Sequence, residues 1–167
     1  MHVVPLDKNK HQRKAFDCGN EALNNYLKLM ANQQSQKDNS RTYILEDTIN
    51  KGRIVGFYTL SLTTVNLSSL PKHLQKKHPH SYTAGLLARL AVDKRYAGKG
   101  FGSWLLVDAL KKLLLASDTV GYPMVMVDAK EDAKYFYEQF GFCSFLDEKY
   151  KLFMSISDIR SSFETQK

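Results

Sequence analysis

The sequence predicts a mixed α/β fold with an early antiparallel hairpin and a later parallel βαβ unit. Three observations carry this. Two runs rich in β-branched and aromatic residues, TYILED and RIVGFYTLSLTTV, flank the turn-like TINKG. The near-continuous apolar run LLARLAVD leads into RYAGKGFGS, where glycines recur at every second position. Immediately after it, SWLLVDALKKLLLAS places Leu106, Ala109, Leu110, Leu113 and Leu114 on one helical face, with Lys111 and Lys112 elsewhere.

In chain order, FDCGNEALNNYLKLMANQQSQ carries apolar residues at helical spacing behind the turn-forming CGN, and predicts a helix from about residue 20 to 35. The hairpin follows, with strands at 42–47 and 53–65. A polar insert containing Pro71 and Pro79 separates it from a strand at 86–93. The amphipathic helix occupies 103–117. PMVMVDA predicts a buried strand at 123–129, DAKYFYEQF a helix at 132–140 closed by Gly141, and KLFMSI a final strand at 151–156.

Length and composition bound the function. A chain of 167 residues, 43% hydrophobic and 25% charged, fits one domain with a core of its own. The opening MHVVPLDKNKHQRK is too polar for a signal peptide, and no apolar run has the length of a membrane span, so a cytoplasmic protein is expected. Cys18 and Cys143 lack the paired spacing of a zinc or redox motif, and no metal is expected. The net charge of +7, from 24 basic and 17 acidic residues, favours anionic partners. The densest basic stretch is KHLQKKHPH, with Lys72, Lys76 and Lys77 and no acid. It reads either as a solvated surface turn or as a phosphate-binding patch.

The glycine stretch fits neither common phosphate motif. A dinucleotide fingerprint starting at Gly98 would need glycine where Ser103 stands, and a P-loop would need its lysine after, rather than before, Gly100. A strand running into a glycine turn that opens a helix nevertheless gathers amides with no intrahelical acceptor into one concavity. Bare backbone at Gly98, Gly100 and Gly102 would let a pyrophosphate approach, with Arg95 and Lys99 adding charge. The competing reading is a turn kept small to pack its helix tightly.

Arg95, Gly98 and Gly100 also match the acetyl-CoA motif of the GNAT acetyltransferases: Gln or Arg, two residues, Gly, one residue, Gly or Ala. Together with ARLAVD, GKGFGSWLLVDAL, VMVDAK and FYEQFGF, and with FDCGNEALNNYL and GFYTLSL earlier, the chain resembles the GNAT toxins of bacterial toxin–antitoxin modules over nearly its whole length. The resemblance implies a GNAT fold, acetyl-CoA as co-substrate, and acetylation of the α-amine of an aminoacyl-tRNA. It implies a donor site running through Leu90, Ala91, Val92, Arg95, Gly98, Lys99, Gly100, Phe101, Gly102 and Ser103. The Val92 amide would be the oxyanion donor, and Tyr137, in FYEQFGF, the general acid toward the CoA sulfur. A phenol is protonated at neutral pH, as that role requires.

The group's partners would be a small ribbon-helix-helix antitoxin, DNA through that antitoxin alone, and no membrane; a homodimer is compatible with it. An α-amine of pKa near ~7.7 to 8.0 is partly neutral at cellular pH, so the lack of an obvious base among Asp128, Glu131, Asp132 and Glu138 fits this acceptor. Lys37, Arg41, Lys72, Lys76, Lys77 and Arg89 are candidate contacts to tRNA phosphates, although Arg89, set amid Leu87, Leu90 and Ala91, is better suited to a structural ion pair. Two alternatives stand beside the toxin: an N-acetyltransferase of a small amine or protein N-terminus, and a non-catalytic co-repressor.

Overall fold

The computed structural model describes residues 1–78 and 83–165; Pro79 and His80, the end of the basic stretch, lie outside them. Seven strands form one mixed sheet in the order β1-β2-β3-β4-β5-β7-β6. The strands are β1 His2–Pro5, β2 Arg41–Glu46, β3 Ile54–Thr64, β4 Thr83–Val92, β5 Met124–Asp128, β6 Cys143–Ser144 and β7 Lys151–Ser155. The helices are α1 Glu21–Asn25, α2 Ala31–Gln36, α3 Lys72–Lys77, α4 Phe101–Val120, α5 Lys134–Glu138 and α6 Ile156–Glu164.

Contacts divide the chain into two compact units, Met1–Ser61 with Ala88–Leu110, and Leu62–Leu87 with Lys111–Lys167. In the first, β2 and β3 form the expected hairpin, in antiparallel register from Arg41↔Leu60 to Leu45↔Gly56, with a bulge at Leu45/Glu46. The loop between them winds around Asp47, whose carboxylate accepts the Ile49 and Asn50 amides at 2.9 and 3.2 Å. The single helix expected near 20–35 is α1 and α2 joined by a π-turn, Tyr26–Met30. It starts at Asn20, whose side chain accepts the Leu23 amide. Tyr26, Leu27 and Ala31 bury against Phe16, Ile44, Ile54 and Phe57, with the Phe16 and Phe57 rings edge to face at 5.4 Å.

In the second unit, Gly85–Leu87 of β4 pair in parallel with Val125–Val127 of β5, which is flanked antiparallel by β7. Met124, Met126, Phe145 and Phe153 fill its core with Val65, Leu70 and Ala84. Besides the interrupted first helix and the two-residue strand β6, other features differ from the sequence expectation. β1 is an additional strand, too short for its alternation to register. Of the basic stretch 72–80, read either as a surface turn or as a phosphate-binding patch, Lys72–Lys77 form the helix α3, started at Pro71. The helix expected at 132–140 is regular only over Lys134–Glu138. Beyond β7 the chain turns into α6, where the Ser155 hydroxyl accepts the Asp158 amide as an N-cap.

Candidate active site

The glycine turn is built from the carboxylate that precedes it. Asp93 follows β4, is fully buried, and donates its own amide to the Val55 carbonyl at 2.8 Å. One of its oxygens accepts the Arg95 amide and the Arg95 Nε, both at 2.9 Å. The other accepts the Asp17 amide at 3.0 Å and the Arg95 Nη2 at 2.8 Å. Burial pushes the Asp93 pKa up, but these charged and backbone donors outweigh it and hold the group below its ordinary value. Lys94 adds a second tie, its Nζ 2.6 Å from the Asp17 carboxylate. The bond to Lys94, with those from the Gly19 amide and the Asn24 side chain, keeps Asp17 well below the usual carboxylate range.

On this base the backbone swings into the left-handed region at Gly98, φ +74, and Gly100, φ +83. A Cβ built on either glycine would meet no protein atom within 4 Å, so both face open space. Tight packing therefore does not explain them; a conformation denied to most side chains, next to room for a ligand, does. The first helical bond of α4 runs from the Trp104 amide to the Gly100 carbonyl at 3.1 Å. The amides of Phe101, Gly102 and Ser103 come before it and lie at the positive end of a 20-residue helix with no acid in its first turn. Lys94, Arg95 and Lys99 precede that opening in the sequence, the first held on Asp17 and the second on Asp93. Electrostatically and sterically this is a cradle for a polyanion.

The structure thus brings Arg95, Gly98, Lys99, Gly100, Phe101, Gly102 and Ser103 into one continuous turn, fed by Leu90, Ala91 and Val92 at the end of β4. The Arg95 guanidinium is turned onto Asp93, so the backbone presents itself to the cradle more directly than this side chain does. At Gly56 a Cβ would sit 2.7 Å from the Ala91 carbonyl oxygen and 2.6 Å from Leu105 Cδ1, which shows how closely β3 approaches here. Asp93, Asp17 and Gly56 were missed in the sequence. Asp93, two residues before Arg95, was the available signal.

Arg89 has found a partner, its guanidinium carbon 3.6 Å from the centre of the Tyr26 ring. Arg41 binds Asp38 at 2.6 Å and the Ser35 carbonyl at 2.9 Å, while Lys37 follows α2 at its C-terminal end. Lys72, Lys76 and Lys77 are exposed along α3 in the second unit.

Tyr137, also in the second unit, is 6% exposed, with Phe136 and Phe142 edge to face at 5.1 and 5.7 Å. Its hydroxyl bonds to no described side chain or backbone group, yet no fully buried side-chain oxygen among the described residues lacks a partner. The hydroxyl is therefore not fully sealed from solvent. Burial raises its pKa well above the ordinary tyrosine value, which keeps it protonated.

Among the described residues, no group of three His, Cys, Asp or Glu could hold a metal ion, and no helix is long and apolar enough to cross a membrane. The sequence profile of the acetyltransferase (GNAT) domain matches residues 38–144. The probable toxin TacT of Sinorhizobium fredii is 30% identical across 95% of this chain and 93% of its own length. A tRNA-acetylating toxin of Mycobacterium tuberculosis is 35% identical across 77% of this chain and 76% of its own. Among solved structures, a mutant of KacT has a TM-score of 0.91 at 33% identity, covering 97% of this chain and 98% of that one. AtaT complexed with acetyl-methionyl-tRNAfMet has a TM-score of 0.89 at 30% identity, with the same coverage. A tyrosine-to-phenylalanine mutant of the AtaT toxin, bound to the C-terminus of the antitoxin AtaR and acetyl-CoA, has a TM-score of 0.81 at 27% identity, covering 97% of both chains.

Proposed function

The chain belongs to the GNAT acetyltransferase family, and from that premise we propose that it is an acetyl-CoA-dependent toxin that acetylates the α-amine of aminoacyl-tRNA and so blocks translation. The observation that carries this reading is the opening of α4: two left-handed glycines facing open space, followed by amides that precede the first helical bond. When bound there, acetyl-CoA supplies the activated acetyl thioester. Gly98, Lys99 and Gly100, with the amides of Phe101, Gly102 and Ser103, hold its pyrophosphate. Arg95 keeps the turn in shape through Asp93.

Leu90, Ala91 and Val92 offer main-chain groups to the pantetheine arm, and the Val92 amide stabilises negative charge on the thioester oxygen. Tyr137 holds the proton that the sulfur takes as the carbon–sulfur bond breaks and the new carbon–nitrogen bond forms, and the proton lost by the acylated amine restores the phenol. Lys72, Lys76 and Lys77 on α3, with Lys37 and Arg41, attract the phosphates of tRNA. Arg41 does so while bound to Asp38, and Arg89 is engaged over the Tyr26 ring, so the exposed lysines of α3 are the main phosphate contacts of this reading. The chain works as one acetyltransferase domain, 1–167, in the cytoplasm. Its toxicity is restrained by a ribbon-helix-helix antitoxin, through which alone it reaches DNA, and a homodimer is compatible with this role.

Mass spectrometry of cellular aminoacyl-tRNA after brief induction tests the reading. N-acetylated aminoacyl-tRNA is the expected result, and it would identify the isoacceptor. Unmodified tRNA, together with acetylation of free amines by the purified protein, would overturn it in favour of a small-molecule acetyltransferase.

A further inference from the structure

Trp104 occupies a position on α4 that packing does not explain. The buried residues of this part of the helix are Leu105, Leu106, Ala109, Leu110 and Leu113, whereas Trp104 is 43% exposed. A bulky indole at the surface of a helix forgoes much of the burial that favours it. It is nonetheless braced. The Phe101 ring lies against it at 6.1 Å with an interplanar angle of 31°, and the Tyr96 ring meets Phe101 edge-on at 6.2 Å. Tyr96 in turn donates its hydroxyl to Asp47 at 2.7 Å. Three rings thus form a row beside the glycine turn, anchored at one end and open at Trp104.

We infer that the exposed indole of Trp104 is the stacking platform for the adenine base of coenzyme A. The inference rests on the proposed pyrophosphate cradle. In coenzyme A the adenosine is joined to the pyrophosphate through a single ribose, so the base must land close to wherever the phosphates are held. Trp104 is one helical turn from Gly100, a rise of about 5.4 Å, and its amide closes that turn onto the Gly100 carbonyl. Lys99, whose Nζ lies 5.9 Å from the centre of the Tyr96 ring, sets a cation at the Tyr96 end of the row, on the far side of Phe101 from Trp104. The other adenine available to this enzyme, the terminal adenosine of tRNA, is not tethered to the cradle. Proximity favours the coenzyme.

Trp104 is the only tryptophan in the chain, so its emission reports on this site alone. The full-length protein is titrated with coenzyme A, with phosphopantetheine, which lacks adenine, and with uncharged tRNA, while fluorescence and calorimetric affinity are followed. Coenzyme A is expected to quench Trp104, and phosphopantetheine to bind without doing so. Trp104→Ala should weaken coenzyme A at least about fivefold, the low end of base–aromatic stacking, and phosphopantetheine much less, while Trp104→Phe retains most of the affinity.

Unchanged emission at saturating coenzyme A would overturn the inference, as would equal losses for both donors in Trp104→Ala. Quenching by tRNA alone would overturn it too, by assigning the platform to the acceptor. If the unaltered protein binds no coenzyme A by calorimetry, the acetyltransferase reading itself fails. Binding with a silent tryptophan removes only the platform.

Discussion

Arg95 grips Asp93 with two prongs, Nε at 2.9 Å on one carboxylate oxygen and Nη2 at 2.8 Å on the other. The carboxylate is buried and also holds the Arg95 and Asp17 amides, so the pair fixes the start of the glycine turn rather than decorating it. Removing one partner of a buried pair costs about 3–5 kcal/mol, and the partial exposure of Arg95 puts this one near or below the low end. Asp93→Ala should therefore lower urea stability by about 2–3 kcal/mol and also weaken acetyl-CoA binding. Stability loss with unaltered donor affinity would separate the pair from the turn.

Acid should destabilise the protein in two stages. Burial foremost lowers the pKa of His11 below its ordinary 6.5, and its Nδ1 accepts the Asp7 amide at 2.9 Å. Asp93 is held below its ordinary 3.8. Both groups bind fewer protons folded than unfolded, so stability falls as pH falls. The first decline should begin below about pH 6.5 and the second below about pH 3.8, seen as melting temperature against pH. His11→Gln should reduce the first stage, to which His78, lowered by burial and by Lys77, also contributes, and leave the second.

The glycines should separate binding from folding. Gly100→Val forces a β-branched side chain into φ +83, where its Cβ meets no protein atom within 4 Å, so the folding cost is chiefly backbone strain of about 1–3 kcal/mol. The side chain would occupy the phosphates' space, and the acetyl-CoA Kd should rise at least about tenfold. Gly56→Ala is the converse. Its methyl would sit 2.7 Å from the Ala91 carbonyl oxygen, and overpacking of about 1–3 kcal/mol should appear in stability first.

Tyr137→Phe keeps the ring between Phe136 and Phe142 and removes only the hydroxyl. Turnover should drop by about 10² to 10⁴, with acetyl-CoA affinity and melting temperature nearly unchanged. A variant retaining half its activity would return Tyr137 to packing.

Salt should distinguish a tRNA acceptor from a small amine. Neutralised phosphates release counterions, so kcat/KM for charged tRNA should fall at least about tenfold from 50 to 200 mM salt, with much less change in acetyl-CoA binding. Replacing Lys72, Lys76 and Lys77 together with alanine should flatten that dependence. A salt-insensitive reaction would make α3 simply a solvated helix.

What could be read from the sequence was what lay close together in it. The hairpin, β4, α4 and the glycine turn all announce themselves within windows of a dozen residues, because period and turn chemistry are local. Asp93 could not be appreciated that way, since Asp17, which donates its amide to it, is 76 residues distant. The same holds for Tyr58, whose hydroxyl meets Asp108 across 50 residues of chain. α6 had a local signal in Ser155 with Asp158 three positions on, obscured because Ile156 also continued the apolar run of the preceding strand. β1 had none, as four residues ending in proline show no period.

Those four residues matter for how the protein survives being made. The sheet begins at β1, which ends in Pro5, and finishes at β6, a strand of two residues. Proline offers no amide to an incoming strand, and two residues make too short a template, so neither border invites another chain to add itself. Such a protein can be present at high local concentration on its polysome, before any neutralising partner has reached it, without recruiting its siblings into aggregates.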